Sequence, residues 1–409
     1  MKPTQKTTLT SCVAVLGLSI VTLISCSASS EARPNEVLTN VSHSTITSNT
    51  NVAALPTVIP TTSKKKIKIA LLLDTSSSMD GLIDQAKSQL WKLVNELSGA
   101  KCDNEKPELE IALYEYGNDG LSSAEGYIRQ VSLLTNDLDL ISEKLFALKT
   151  NGGNEFCGYV IGSSLKQLDW VGDDNDLRVI FIAGNEPFTQ GEVPYTTACK
   201  NAKEKDVVVN TIYCGEFEEG LKTGWKNGAV LTGGEYMSIE QDRKTVYIES
   251  PYDAEIAKLN DQINDTYVSY GSSGSSKKLN QITQDRNAAS YGSANTVNRI
   301  VSKSTSFYSN ESWDIVDASK QKGFEVTKIK ESDLPAELKG KTKEEKEKFI
   351  ATKTAQREQI KIKIAELNKS RTKFIIEKEK KSGDSKSLDA AMLKAIKDQA
   401  AKKRFLFDS

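Results

Sequence analysis

The chain has 409 residues, with 54 Lys and Arg against 55 Asp and Glu, 38% hydrophobic side chains and a single histidine. That length suits one large α/β domain with an appendage, or two ordinary domains, and 27% charged residues with a mean hydropathy of -0.43 exclude a polytopic membrane protein. The one imidazole, His43, lies in a Ser/Thr/Asn-rich stretch, which removes Ser-His-Asp and Cys-His catalysis and any zinc site built on two or three histidines.

Lys2 and Lys6 precede an apolar run over 9–24 that ends in Leu23-Ile24-Ser25-Cys26. The run is too short and too rich in Thr and Ser to span a bilayer as a helix, and reads as an export signal. Its last four residues resemble the lipobox of bacterial lipoproteins. The resemblance implies that 1–26 is a lipoprotein signal peptide, that Cys26 is the lipidation site, and that the chain meets the membrane through a lipid anchor. Ser27 stands where an acidic residue would retain the protein at the inner membrane, so the resemblance points to an outer-membrane lipoprotein facing the periplasm or the surface. Residues 27–62 are Ser, Thr, Asn, Val and Pro without a period, a flexible tether with a reach of roughly 30–35 Å.

From Lys64 onward, strand and helix signals alternate. Residues 67–73 form an apolar run broken only by Lys68, as in a parallel strand covered on both faces. A helix follows with Ile83, Leu90, Leu93, Val94 and Leu97 on one side. Further strands are predicted at 111–116, 128–133, 177–183, 207–213 and 235–239. Helices are predicted around Leu138 to Leu148 and Val160 to Leu168, and over 252–268. Six strands with helices between them predict an α/β fold: a doubly wound, mainly parallel six-stranded sheet whose ligand lies over the carboxyl ends of the strands.

The first loop at that end reads Asp74-Thr75-Ser76-Ser77-Ser78. A carboxylate and two hydroxyls at alternate positions put three hard oxygens on one turn, a donor set for a divalent cation such as Mg, Mn or Ca. The same residues also suit a plain helix N-cap. Strand, Asp-x-Ser-x-Ser, then helix resembles the von Willebrand factor A-type (VWA) domain and its metal-ion-dependent adhesion site. The resemblance covers about 64–269, with Gly233-Gly234 before the last strand in support, and implies a Rossmann-like sheet over 63–269. It also implies a second loop at Thr150-Asn151-Gly152-Gly153-Asn154-Glu155, where Asn154 takes the slot of the family threonine, and a third at Ala183-Gly184-Asn185-Glu186, where Gly184 replaces the family aspartate. The candidate metal residues are Asp74, Ser76, Ser78, Thr150, Glu155 and Asn185. If Asp74 and Glu155 both coordinate, they neutralise a divalent ion and weaken its pull on an incoming carboxylate.

Once Cys12 and Cys26 are set aside, Cys102, Cys157, Cys199 and Cys214 remain. An exported chain allows three pairings; a bridge from Cys214 to Cys157 or Cys199 is the favoured reading, with Cys102 apart and buried free thiols as the alternative. Residues 270–335 read as a mixed extension packed on the sheet domain, including a packed piece at 308–318. The last 69 residues carry 20 Lys or Arg against 11 Asp or Glu, leaving 34 against 44 elsewhere. Thr342 with Glu345 makes a capping box for a long helix with the seam Ile350, Lys353, Arg357, Ile360, Ile364, Leu367, Arg371 and Phe374. A shorter helix over 388–400 makes 336–409 a basic helical hairpin or coiled-coil-like tail.

No P-loop, Gly-rich dinucleotide turn or histidine-based group is in the sequence, so the chain reads as a non-enzyme. The family resemblance implies a lipid-anchored envelope binding module whose partner is another envelope or extracellular protein, met through an acidic side chain. The alternative is an envelope scaffold with a vestigial metal site that acts through its C-terminal helices. Export and an acidic body argue against nucleic acid as a partner.

Overall fold

The computed structural model describes residues 64–240, 248–379 and 388–407. The expected signal peptide and tether, with Cys26 and His43, lie outside the described residues. In chain order the elements are β1 (Lys66–Asp74), α1 (Asp80–Leu97), β2 (Ala100–Cys102), β3 (Glu108–Tyr116), β4 (Ile128–Thr135), α2 (Leu138–Phe146), α3 (Cys157–Gln167), β5 (Leu177–Gly184), α4 (Tyr195–Glu204), β6 (Val208–Cys214), α5 (Phe217–Lys222), α6 (Trp225–Thr232), β7 (Tyr236–Ile239), α7 (Asp253–Asn264), α8 (Gly274–Ser290), α9 (Ser293–Ser304), α10 (Ile315–Ala318), α11 (Lys343–Glu379), α12 (Leu388–Lys402) and β8 (Phe405–Phe407). Among them no helix is long and apolar enough to cross a membrane.

The six predicted strands form one sheet in the order β4-β3-β1-β5-β6-β7, parallel throughout except for the β4 edge. Side chains alternate across a strand, and β1 divides accordingly. Ile67, Ile69, Leu71 and Leu73 face a core shared with α1, α2 and α12, whereas Ala70 and Leu72 face one shared with α3, α4 and α6. Lys68, the break in the apolar run, is buried, and its ammonium donates to the carbonyls of Asp169 at 2.8 Å and Val171 at 2.7 Å.

The same alternation corrects the disulfide expectation. Tyr213 and Cys214 are neighbours on β6, so they point to opposite faces; Cys214 lies in the core with α1, and Cys157 and Cys199 in the other. A sheet separates Cys214 from both proposed partners, and all four cysteines are free and buried.

The C-terminal third departs from the expected hairpin. α11 lies along α7, α9 and α10, while α12 packs on α1, β5 and β7, and β8 pairs antiparallel with β2, so each helix packs mainly on the body. The physical reason is what each helix has to bury. The apolar face of α12, with Leu388, Met392, Ile396 and Ala400, completes the core over the sheet. The predicted seam of α11 is its inner face, but a mixed one: Ile350 and Ile364 are buried, and so are Arg357 and Arg371. Arg357 is fully enclosed. Its Nη1 donates to Asp314 at 2.6 Å and Asp317 at 2.9 Å, its Nε and Nη2 to the hydroxyl and carbonyl of Thr266, and its guanidinium stacks 3.9 Å from the Tyr267 ring centroid. A second enclosed cation, Arg299, meets Asp139 at 2.7 Å and Asp285 at 2.9 Å and stacks on Trp91.

Candidate functional site

The carboxyl ends of β1, β3 and β5 bring three residues together on one sheet face. Asp74 is in register with Tyr116 on β3, and Leu73 with Ala183 on β5, which sets Gly184 beside Asp74. By alternation Asp74, Tyr116 and Gly184 all point toward the α3 side. This explains the missing aspartate in the third loop. A Cβ on Gly184 would run into the Tyr116 hydroxyl and approach Asp74 Oδ2 at 3.1 Å. The hydroxyl holds that position by donating to the Ala183 carbonyl at 2.9 Å. The sequence reading missed Tyr116 because a tyrosine ending an apolar strand looks like core, which it also is.

The second carboxylate comes from the second loop instead. That loop is pinned beneath the first by Asn151 N–H donating to the Thr75 carbonyl at 2.9 Å and by Asn118 Nδ2 donating to the Lys149 carbonyl at 2.9 Å. Glu155 N–H donates to Gln190 Oε1 at 2.6 Å, and the Glu155 side chain is drawn inward until it is 3% exposed. Gly117 makes the approach possible. At φ +78° it adopts a conformation that L side chains avoid, and a Cβ there would sit 2.7 Å from Asp74 Oδ1 and 2.8 Å from Glu155 Cγ.

Asp74 is fully buried. Its Oδ1 accepts from Ser76 N–H at 2.7 Å, while Asp74 Oδ2 and Glu155 Oε2 are buried without a hydrogen-bond partner. Burial first, and then the neighbouring Glu155, push the Asp74 carboxyl well above the usual carboxylate range. Burial also raises Glu155, offset in part by hydrogen bonds from Asp74 and Ser76. Two carboxyls this close share one proton, and it rests on Asp74. Beneath them burial pushes up the Cys157 and Cys214 thiols, which stay protonated.

Of the predicted residues, Asp74, Ser76, Ser78, Glu155 and Asn185 converge. Ser76 Oγ and Ser78 Oγ are 3.1 Å apart, and Ser78 Oγ donates to Asn185 Oδ1 at 3.4 Å. Thr150 does not join them: its hydroxyl donates to Asp80 Oδ1 on α1. Asn154 is exposed on the loop. Among the described residues no three or more His, Cys, Asp or Glu side chains gather as a metal-holding group. A site here would combine two carboxylates with hydroxyls, and two orphaned buried carboxylate oxygens beside two serine oxygens fit a hard divalent cation.

The SpRpn10 VWA domain is 18% identical to this chain with a TM-score of 0.33, over 42% of this chain and 87% of that one. The mainly parallel six-stranded sheet flanked by helices is consistent with a VWA-type or Rossmann-like α/β fold. Two further solved structures are similar at this level. BatB from Bacteroides thetaiotaomicron is 15% identical, with a TM-score of 0.32, over 42% of this chain and 90% of its own. A von Willebrand factor type A protein from Catenulispora acidiphila is 15% identical, with a TM-score of 0.32, over 43% of this chain and 39% of its own. The likeness to these VWA structures is one of fold. No family model and no curated protein matches the chain.

Proposed function

We propose that the chain is a lipid-anchored cell-envelope binding module, tied through Cys26, that recognises another envelope or extracellular protein through a divalent cation held by Asp74, Ser76, Ser78 and Glu155. Nothing is turned over. The observation that carries this reading is the pair of buried carboxylate oxygens, Asp74 Oδ2 and Glu155 Oε2, that meet no donor among the described residues beyond the proton the two carboxyls share. Leaving a buried acceptor unmade costs about 1–3 kcal/mol, more for a charged group, and a cation relieves that cost for both at once. The ion would supply a fixed positive charge and a position that a partner's ligand can complete. The rival, a scaffold acting through its C-terminal helices, is weaker because the apolar face of α12 and the strand β8 are already used within the body.

The test is a thermal melt of the full chain in chelator against millimolar magnesium, manganese or calcium. The reading predicts a rise in Tm that Asp74→Ala abolishes while the variant still folds. No shift with any of the three ions retires it. Loss of the chain from the membrane fraction on Cys26→Ala checks the anchor.

A further inference from the structure

We infer that the partner segment recognised around the crown formed by Asp74, Ser76, Ser78 and Glu155 is basic, its Lys or Arg side chains seated on the acidic rim beside the ion rather than coordinating it. The inference rests on the reading that the crown is the recognition site, and it replaces the acidic ligand that the family resemblance implies.

The first argument is charge at the centre. Asp74 and Glu155 together balance a divalent ion, so the loaded crown offers an incoming carboxylate no net attraction, and the empty crown repels it. The second is the rim. The loops at the carboxyl ends of the strands, residues 75–79, 117–127, 147–156, 185–194 and 215–224, carry eight Asp or Glu against two Lys. Among the described residues none of those eight is paired with a Lys or Arg, whereas acidic side chains elsewhere in the body are repeatedly paired. Unpaired like charges within a Debye length of about 8–10 Å add into one field.

The geometry joins the rim to the centre. Glu186 N–H donates to the Glu155 carboxylate, and the Glu186 charge acts on it. Tyr213, in register with Gly184, feels both Glu186 and Glu219. Acid therefore runs from Asp74 and Glu155 through Glu186 to Glu216, Glu218 and Glu219 at the start of α5. An exposed aromatic, Phe217, sits inside that acidic segment against Tyr236. An aromatic face flanked by carboxylates suits a guanidinium or an ammonium and offers a carboxylate nothing.

The experiment measures binding of two synthetic peptides, one alternating Arg with Gly and one alternating Glu with Gly, to the full chain by fluorescence anisotropy, in magnesium and in chelator. The rim variant Glu216→Gln/Glu218→Gln/Glu219→Gln is compared with a control that removes three exposed acids from the extension and α11, Glu311→Gln/Glu337→Gln/Glu344→Gln. The Arg peptide is expected to bind, to lose affinity by about tenfold or more in the rim variant and less than about twofold in the control, and to weaken with added salt. A Glu peptide that binds as tightly as the Arg peptide in magnesium overturns the inference, as do equal losses in the two variants or no Arg-peptide binding. The ion itself is judged by the melting shift. Arg-peptide binding that depends on the rim without any shift retires the ion and keeps the basic partner; a shift with Glu-peptide preference does the reverse.

Discussion

At the Arg357 clamp two buried carboxylates, Asp314 and Asp317, face a guanidinium whose three nitrogens are all engaged. At the crown two buried carboxylates, Asp74 and Glu155, face each other, Ser76 and the Glu186 N–H, and no cation among the described residues. Both pairs lie under the same solvent-free conditions, so burial does not tell them apart. The difference is the presence of a cation within the chain. A carboxylate pair with its own cation ties α11 to α10 and to the residues after α7, and its work is done on folding. A pair without one retains an unmet demand for positive charge that something outside the chain can fill.

That contrast is breakable, and the largest effect should come from the satisfied side. Arg357→Ala leaves Asp314 buried without its guanidinium, with Lys320 reaching only Asp317 at 3.7 Å, and is expected to cost about 3–5 kcal/mol in denaturant unfolding; a loss near zero would mean that the clamp does not hold α11. Next is Gly184→Ala, which sets a methyl against the Tyr116 hydroxyl and Asp74. Overpacking of this kind costs about 1–3 kcal/mol, and an unchanged midpoint would show that the third loop has room for a side chain after all. On the unsatisfied side the sign should invert. In chelator, Asp74→Asn replaces the carboxyl that holds the shared proton by an amide of nearly the same shape that can still donate to Glu155, and the chain is expected to be unchanged or more stable by about 1–2 kcal/mol. Destabilisation there would place Asp74 with the structural acids.

The smallest effect concerns pH at the Arg299 cluster. Burial lowers the Lys303 ammonium to about 8 from the usual 10.5, against the pull of Asp285. Between those two values the unfolded chain holds a proton that the folded chain has released, so stability rises as pH increases across the window. The slope of unfolding free energy from about pH 8 to about pH 10 should flatten in Lys303→Met; the same slope in both proteins would remove Lys303 from the balance.

The two regions were not equally legible in the sequence. The sheet was plain, because a strand buried on both faces is an almost unbroken apolar run, and Asp74, Ser76 and Ser78 were plain because they follow one such run at alternate positions. Glu155 could be suspected from its place beside the glycines, but not the reason it is needed: the Tyr116 hydroxyl fills the space at Gly184, a fact of how β3 and β5, about 70 residues apart, are each registered on β1 between them. Arg357 lay on the predicted seam of α11, yet its role depends on Asp314 and Asp317, whose spacing to it no local pattern encodes. The destination of α12 was hidden too. Its apolar face fits a hairpin partner and a sheet equally well, and the choice is made by β8 pairing with β2 some 300 residues earlier.

The most direct measurement is anomalous scattering from crystals of the full chain soaked in manganese. A peak bounded by Asp74, Ser76, Ser78 and Glu155, lost in Asp74→Asn, is the predicted result. Crystals that show manganese elsewhere, or none, while those oxygens keep only water, would contradict it.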